Sequence, residues 1–91
     1  MPLLRTGDAV FVCGGGARLW ESPVAGWGGY ALACPGDMGL VLCQQEREPW
    51  WLYVLVGDSL GWLYDANVEE VHRDGELVMS RARNGDLEEV A

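Results

Sequence analysis

Trp50-Trp51-Leu52-Tyr53-Val54-Leu55-Val56 is an unbroken run of seven apolar residues, rich in aromatic and β-branched side chains. A run of that length and composition reads as a strand covered on both faces rather than as a helix. Gly57-Asp58-Ser59 supplies turn chemistry, and Leu60-Gly61-Trp62-Leu63-Tyr64 is a second apolar run. Together they predict a β-hairpin whose first arm is the central strand of a sheet. The next three residues, Asp65-Ala66-Asn67, have room only for a single 3-10 turn. Val68-Glu69-Glu70-Val71 then returns as a closing strand.

Upstream of the hairpin the same logic gives more strands. Gly7-Asp8 opens Ala9-Val10-Phe11-Val12-Cys13, and Gly14-Gly15-Gly16 ends it as a turn. In Ala17-Arg18-Leu19-Trp20-Glu21 alternation puts Ala17, Leu19 and Glu21 on one face, with Arg18 and Trp20 on the other. Ser22-Pro23 stops that strand because proline has no N–H for a ladder. Residues 24 to 31 read as a glycine-rich loop that carries Trp27 and Tyr30. Cys34-Pro35-Gly36-Asp37 is a turn signal before the apolar Met38-Gly39-Leu40-Val41-Leu42-Cys43, which gives way to a polar tip at residues 44 to 48.

No segment before His72 shows helical periodicity, so residues 1–71 are predicted to be all-β, a small five- or six-stranded antiparallel barrel. Residues 72–91 read as a C-terminal hairpin or extended tail. Asp74-Gly75 is a hairpin turn, Leu77-Val78-Met79 an edge strand, and Asp86-Leu87-Glu88-Glu89-Val90 echoes Asn67-Val68-Glu69-Glu70-Val71.

The chain has 91 residues, enough for one domain with a dense core and no large enclosed cavity. Its formal charge is -8, and all six basic residues are arginine. Nucleic acid and anionic membrane surfaces are therefore disfavoured as partners, since both require a basic stripe. Met1-Pro2-Leu3-Leu4-Arg5 lacks the pattern of a signal peptide, and no run approaches the length of a membrane span. The expected location is cytoplasmic.

Three cysteines, Cys13, Cys34 and Cys43, are odd in number and form no CxxC motif. They read as small buried hydrophobes, not as a disulfide framework or a zinc site. Catalytic chemistry is not apparent either. The single histidine, His72, lies beyond the predicted barrel and reads as a solvated tail residue. Glycines 14 to 16 lack the following lysine of a P-loop. Adjacent carboxylates such as Glu69-Glu70 point to opposite faces of a strand. The expectation is a non-enzyme with no cofactor and no metal.

Residues 32 to 71 resemble the second half of SH3 domains. The resemblance is carried by the Gly36-Asp37 diverging turn, the Trp50-Trp51 pair, Gly61-x-Leu63, the 3-10 turn and the strand from Val68. Gly61-Trp62 with Ala17 to Pro23 upstream is more similar to bacterial-type SH3 domains, and Gly36-x-x-Gly39-x-Val41 resembles KOW and Tudor-like barrels. The family implies a small barrel, with Trp50 in a ligand groove and Tyr64 where the groove proline stands. Val10-Phe11-Val12 and Tyr64-Asp65-Ala66-Asn67 replace the other groove residues, so proline-rich ligands are not implied.

Trp and Tyr are favoured at interface hot spots. The leading expectation is a protein-binding or assembly module whose contacts include Trp20, Trp27, Tyr30, Trp50, Tyr64 and Asp65, the last attracting a basic ligand. The partner is another protein, a second copy of the chain included. Trp51 and Trp62 are expected to serve mainly the fold. Two alternatives come with the resemblance: a structural subunit of a larger particle such as a tailed-phage virion, and a cell-wall-binding domain.

Overall fold

A computed structural model describes residues 3–13, 17–23, 28–83 and 85–90. The expected turn at Gly14 to Gly16 and the candidate contact residue Trp27 lie outside them. The described residues form nine strands: β1 (Ala9–Val12), β2 (Ala17–Trp20), β3 (Tyr30–Ala33), β4 (Met38–Gln44), β5 (Trp51–Val56), β6 (Ser59–Tyr64), β7 (Val68–Arg73), β8 (Glu76–Arg81) and β9 (Leu87–Glu89). A single 3-10 turn, Asp65–Asn67, joins β6 to β7. Every pairing is antiparallel, in the order β3-β2-β6-β5-β4-β1-β7-β8-β9. The fold of the described residues is therefore all-β, a nine-stranded antiparallel ladder in which β3 does not close onto β9. No helix among them is long and apolar enough to cross a membrane.

The predicted turns arise from their residues. Pro35 and Gly36 occupy the centre of the turn before β4, with Gly36 at φ 87° and the Asp37 carboxylate accepting the Cys34 N–H at 2.9 Å. At the β7–β8 hairpin Asp74 and Gly75 both have positive φ, 53° and 82°, as a two-residue turn matched to strand twist requires.

One face of the sheet holds a single aliphatic core that draws residues from all nine strands, among them Val10, Leu19, Ala33, Val41, Leu52, Leu63, Val71, Met79 and Leu87. Among the described residues no helix layer covers this face. The sheet must curl on itself to exclude water, consistent with a Cα radius of gyration of 11.9 Å. Curling brings backbones close. A Cβ on Gly61 of β6 would stand 2.6 Å from Leu19 Cβ and 2.8 Å from the Leu19 carbonyl carbon, so β2 crosses β6 only because position 61 is glycine.

Two polar devices tie the C-terminal strands to the rest. Asp8, the one buried charged residue among the described ones, accepts bonds from Arg73 Nε and Nη2, both at 2.8 Å, and from the Arg5 N–H. The Arg73 guanidinium holds the Asp8 carboxyl below its ordinary range, against the opposing effect of burial, and the arginine is raised in turn. Arg81 donates to the backbone carbonyls of Asp65, Val68 and Gly85. It thereby fastens the 3-10 turn and the β8–β9 connection to one guanidinium.

Three expectations need correction. Tyr30 and Ala31, expected in a loop, open strand β3, because Tyr30 to Ala33 pair residue by residue with Trp20 to Ala17. His72 is no tail residue: it pairs with Ala9 and Leu77 inside β7 and is half-buried. The cysteines are not core. Cys34 sits in the turn after β3, a register shift in β4 leaves Cys43 on the surface, and Cys13 is only partly covered at the end of β1.

Candidate functional site: the aromatic outer face

Strand alternation separates the side chains by chemistry. The inner face is aliphatic, and the opposite face carries the rings. Tyr30, Trp20, Trp62, Tyr53 and Cys43 are successive cross-strand partners over β3, β2, β6, β5 and β4. Three ring pairs follow from this register: Trp20 with Tyr30 at 5.1 Å, Tyr53 with Trp62 at 5.0 Å, and Trp51 with Tyr64 at 4.9 Å between centroids. A fourth, Phe11 with His72 at 4.8 Å, lies on β1 and β7. A tightly curled sheet encloses little volume, so small branched side chains fill its inside and rings are placed outside.

A second row continues the outer face with aliphatics. Leu60, Leu55, Leu40, Ala9, His72 and Leu77 are partners in turn from β6 to β8. Leu60 is 53% exposed and Leu40 38%, while Met38, which pairs with Phe11, is 55% exposed. Between β3 and β6 a depression of about 370 Å³ is lined by Leu19, Tyr30, Ala31, Ser59 and Leu60, among others. The rings and the leucines adjoin by register on the outer face, and the depression lies beside them at β3, with Glu21 also in its lining. These exposed side chains adjoin by register rather than standing singly on the surface.

The residues singled out from the sequence fall into three places. Tyr30 stands on this face, half exposed, with the Arg18 guanidinium 4.9 Å from its ring centroid. Trp20 is on the same face, 5.7 Å from Arg18, and is only 8% exposed because Tyr30 and Arg18 cover it. Tyr64 is exposed, and the ring it packs against is that of Trp51, not Trp50. Trp51 is 3% exposed and lies outside the aliphatic core cluster. It is buried on the outer side, under Tyr64. Trp50 precedes β5 in a turn, is exposed, and accepts the Asp65 N–H through its carbonyl at 2.9 Å. Asp65 is half-buried, and burial raises its carboxyl above the ordinary range in spite of Arg81 nearby.

Met38, Leu40, Leu55 and Leu60 were not among the sequence candidates. For Met38 and Leu40 the signal is alternation within Met38-Gly39-Leu40-Val41, where the two bulky side chains without β-branching share one face. His72 Nε2 lies 2.9 Å from Glu70 Oε1, and among the described residues no group of three or more His, Cys, Asp and Glu is placed to hold a metal ion. No family model matches this chain, nor does any curated protein or any solved structure.

Proposed function

We propose that this chain is a non-enzymatic protein-binding module that engages its partner through the outer face of the sheet. The observation that carries the reading is the exposed apolar set Met38, Leu40 and Leu60, continuous by register with the paired rings of Tyr53 and Trp62. Rings locked in cross-strand pairs present large contact area at little entropic cost, which is how hot spots are built. Tyr30 and Tyr64 extend the surface. The SH3-like small barrel remains the frame of this proposal, supported by the curled antiparallel sheet and by the 3-10 turn between β6 and β7. The proposed contact surface differs from the one the SH3 resemblance implies, because Trp50 and Tyr64 share no ring contact.

Selection of a displayed random-peptide library against the full chain tests this. Peptides enriched on the wild-type chain are expected to lose about tenfold in affinity or more on Met38→Ser/Leu40→Ser/Leu60→Ser. Enriched peptides that bind this folded variant equally well would refute the reading.

A further inference from the structure

The outer face changes character along its length. Met38, Phe11, Glu70, Ser80 and Glu88 are successive partners across β4, β1, β7, β8 and β9, so one row runs from an exposed methionine to two carboxylates. Seven of the fourteen acidic residues fall between Val68 and Val90. Of the three arginines in that stretch, Arg73 is bonded to Asp8 and Arg81 to backbone carbonyls. Of these acids Glu70 and Glu88 lie on the outer face by register, so its apolar part meets two carboxylates at the β7–β9 end.

We infer that the occupant of this face is a basic segment of another protein, its apolar side chains over Met38, Leu40 and Leu60 and its lysines or arginines on Glu70 and Glu88. This rests on the protein-binding reading above. Glu70 uses Oε1 for His72, which fixes the carboxylate at the border of the apolar rows beside Phe11. Lysine and arginine suit such a border, because their stems cover apolar surface while the charged ends reach a carboxylate. A second copy of the chain fits worse. Two molecules of formal charge -8 would bring like-charged flanks into one interface, where juxtaposed like charges are costly.

Calorimetric titration of the full chain with two amphipathic peptides, one of leucine and lysine and one of leucine and glutamate, tests the inference. The lysine peptide is expected to bind and the glutamate peptide not. Glu70→Gln/Glu88→Gln should weaken the lysine peptide by about fivefold or more, as lost charge pairs do. Glu46→Gln/Glu48→Gln removes the same charge from the β4–β5 loop and should change binding by less than about twofold. Equal losses in the two double variants, equal binding of the two peptides, or no binding of the lysine peptide would each overturn the inference. Light scattering of the chain alone adds a further outcome. A dimer that Met38→Ser/Leu60→Ser dissociates would assign the face to a second copy, overturning the basic occupant while leaving the protein-binding reading intact. Lysine-peptide binding that ignores Met38→Ser/Leu60→Ser would overturn the occupant and count against that reading as well.

Discussion

Asp8 and Arg73, 65 positions apart, meet through two hydrogen bonds of 2.8 Å and join the start of β1 to the end of β7. The Asp8 side chain is 1% exposed and that of Arg73 24%, so removing the carboxylate loses its hydrogen bonds to Arg73 and to the Arg5 N–H while the guanidinium turns to solvent. Asp8→Ala is expected to lose about 2 to 4 kcal/mol of unfolding free energy, measured by urea denaturation at neutral pH.

The same pair sets a pH dependence of known sign. The Asp8 carboxyl is lowered in the folded chain, chiefly by its bond to Arg73. Its contribution is therefore complete above the unfolded value of about 4 and is lost as pH falls through the lower folded value. Asp65 has the opposite sign: burial raises it, so its contribution is present at acid pH and declines as pH rises through the raised value. Denaturation between about pH 2 and 7 should show a shallower acid loss in Asp8→Asn, and Asp65→Asn should be no less stable than wild type at pH 7. A destabilised Asp65→Asn would contradict this assignment.

Close approach makes two glycines unequal. At Gly61 the added methyl meets the Leu19 backbone at 2.8 Å, whereas at Gly39 it meets the methyl carbons of Val56 and Val10 at 3.0 and 3.2 Å. Side chains yield more readily than backbone. Gly61→Ala should cost about 3 kcal/mol and Gly39→Ala about 1 kcal/mol in thermal or chemical unfolding.

Trp50 and Trp51 are neighbours with different roles. Trp51 is buried against Tyr64, while Trp50 is exposed in the preceding turn. Trp51→Ala is expected to lose about 3 to 5 kcal/mol of stability and Trp50→Ala less than about 1 kcal/mol.

How far the sequence carries can be judged element by element. The β5–β6 hairpin, the 3-10 turn and the Asp74-Gly75 turn were legible because apolar runs and turn residues report local backbone preference. β3 was not. Its glycine-flanked residues have no strand signal of their own and become a strand through pairing with β2. β9 has three residues and one buried side chain, Leu87, too little to register as a pattern. The site was hidden for another reason: β5 and β6 are apolar on both faces, so alternation sorts their side chains into two sets without telling which is inside. Volume decides it, through Gly39 and Gly61 at close approaches that leave the interior to aliphatics.

The exposure of two cysteines is open to direct chemistry. Cys34 and Cys43 should react with a thiol reagent in the native chain, and the less exposed Cys13 more slowly. Protection of all three until unfolding would restore the core reading.

Amide chemical-shift mapping of the full chain, titrated with a library-selected peptide, tests the outer face most directly. The largest shifts are expected on Met38, Leu40, Tyr53, Leu55, Leu60 and Trp62, which share that face by register. Shifts concentrated instead around Trp50 and Asp65, or at the groove lined by Leu3, Leu4, Gln45 and Pro49, would contradict it.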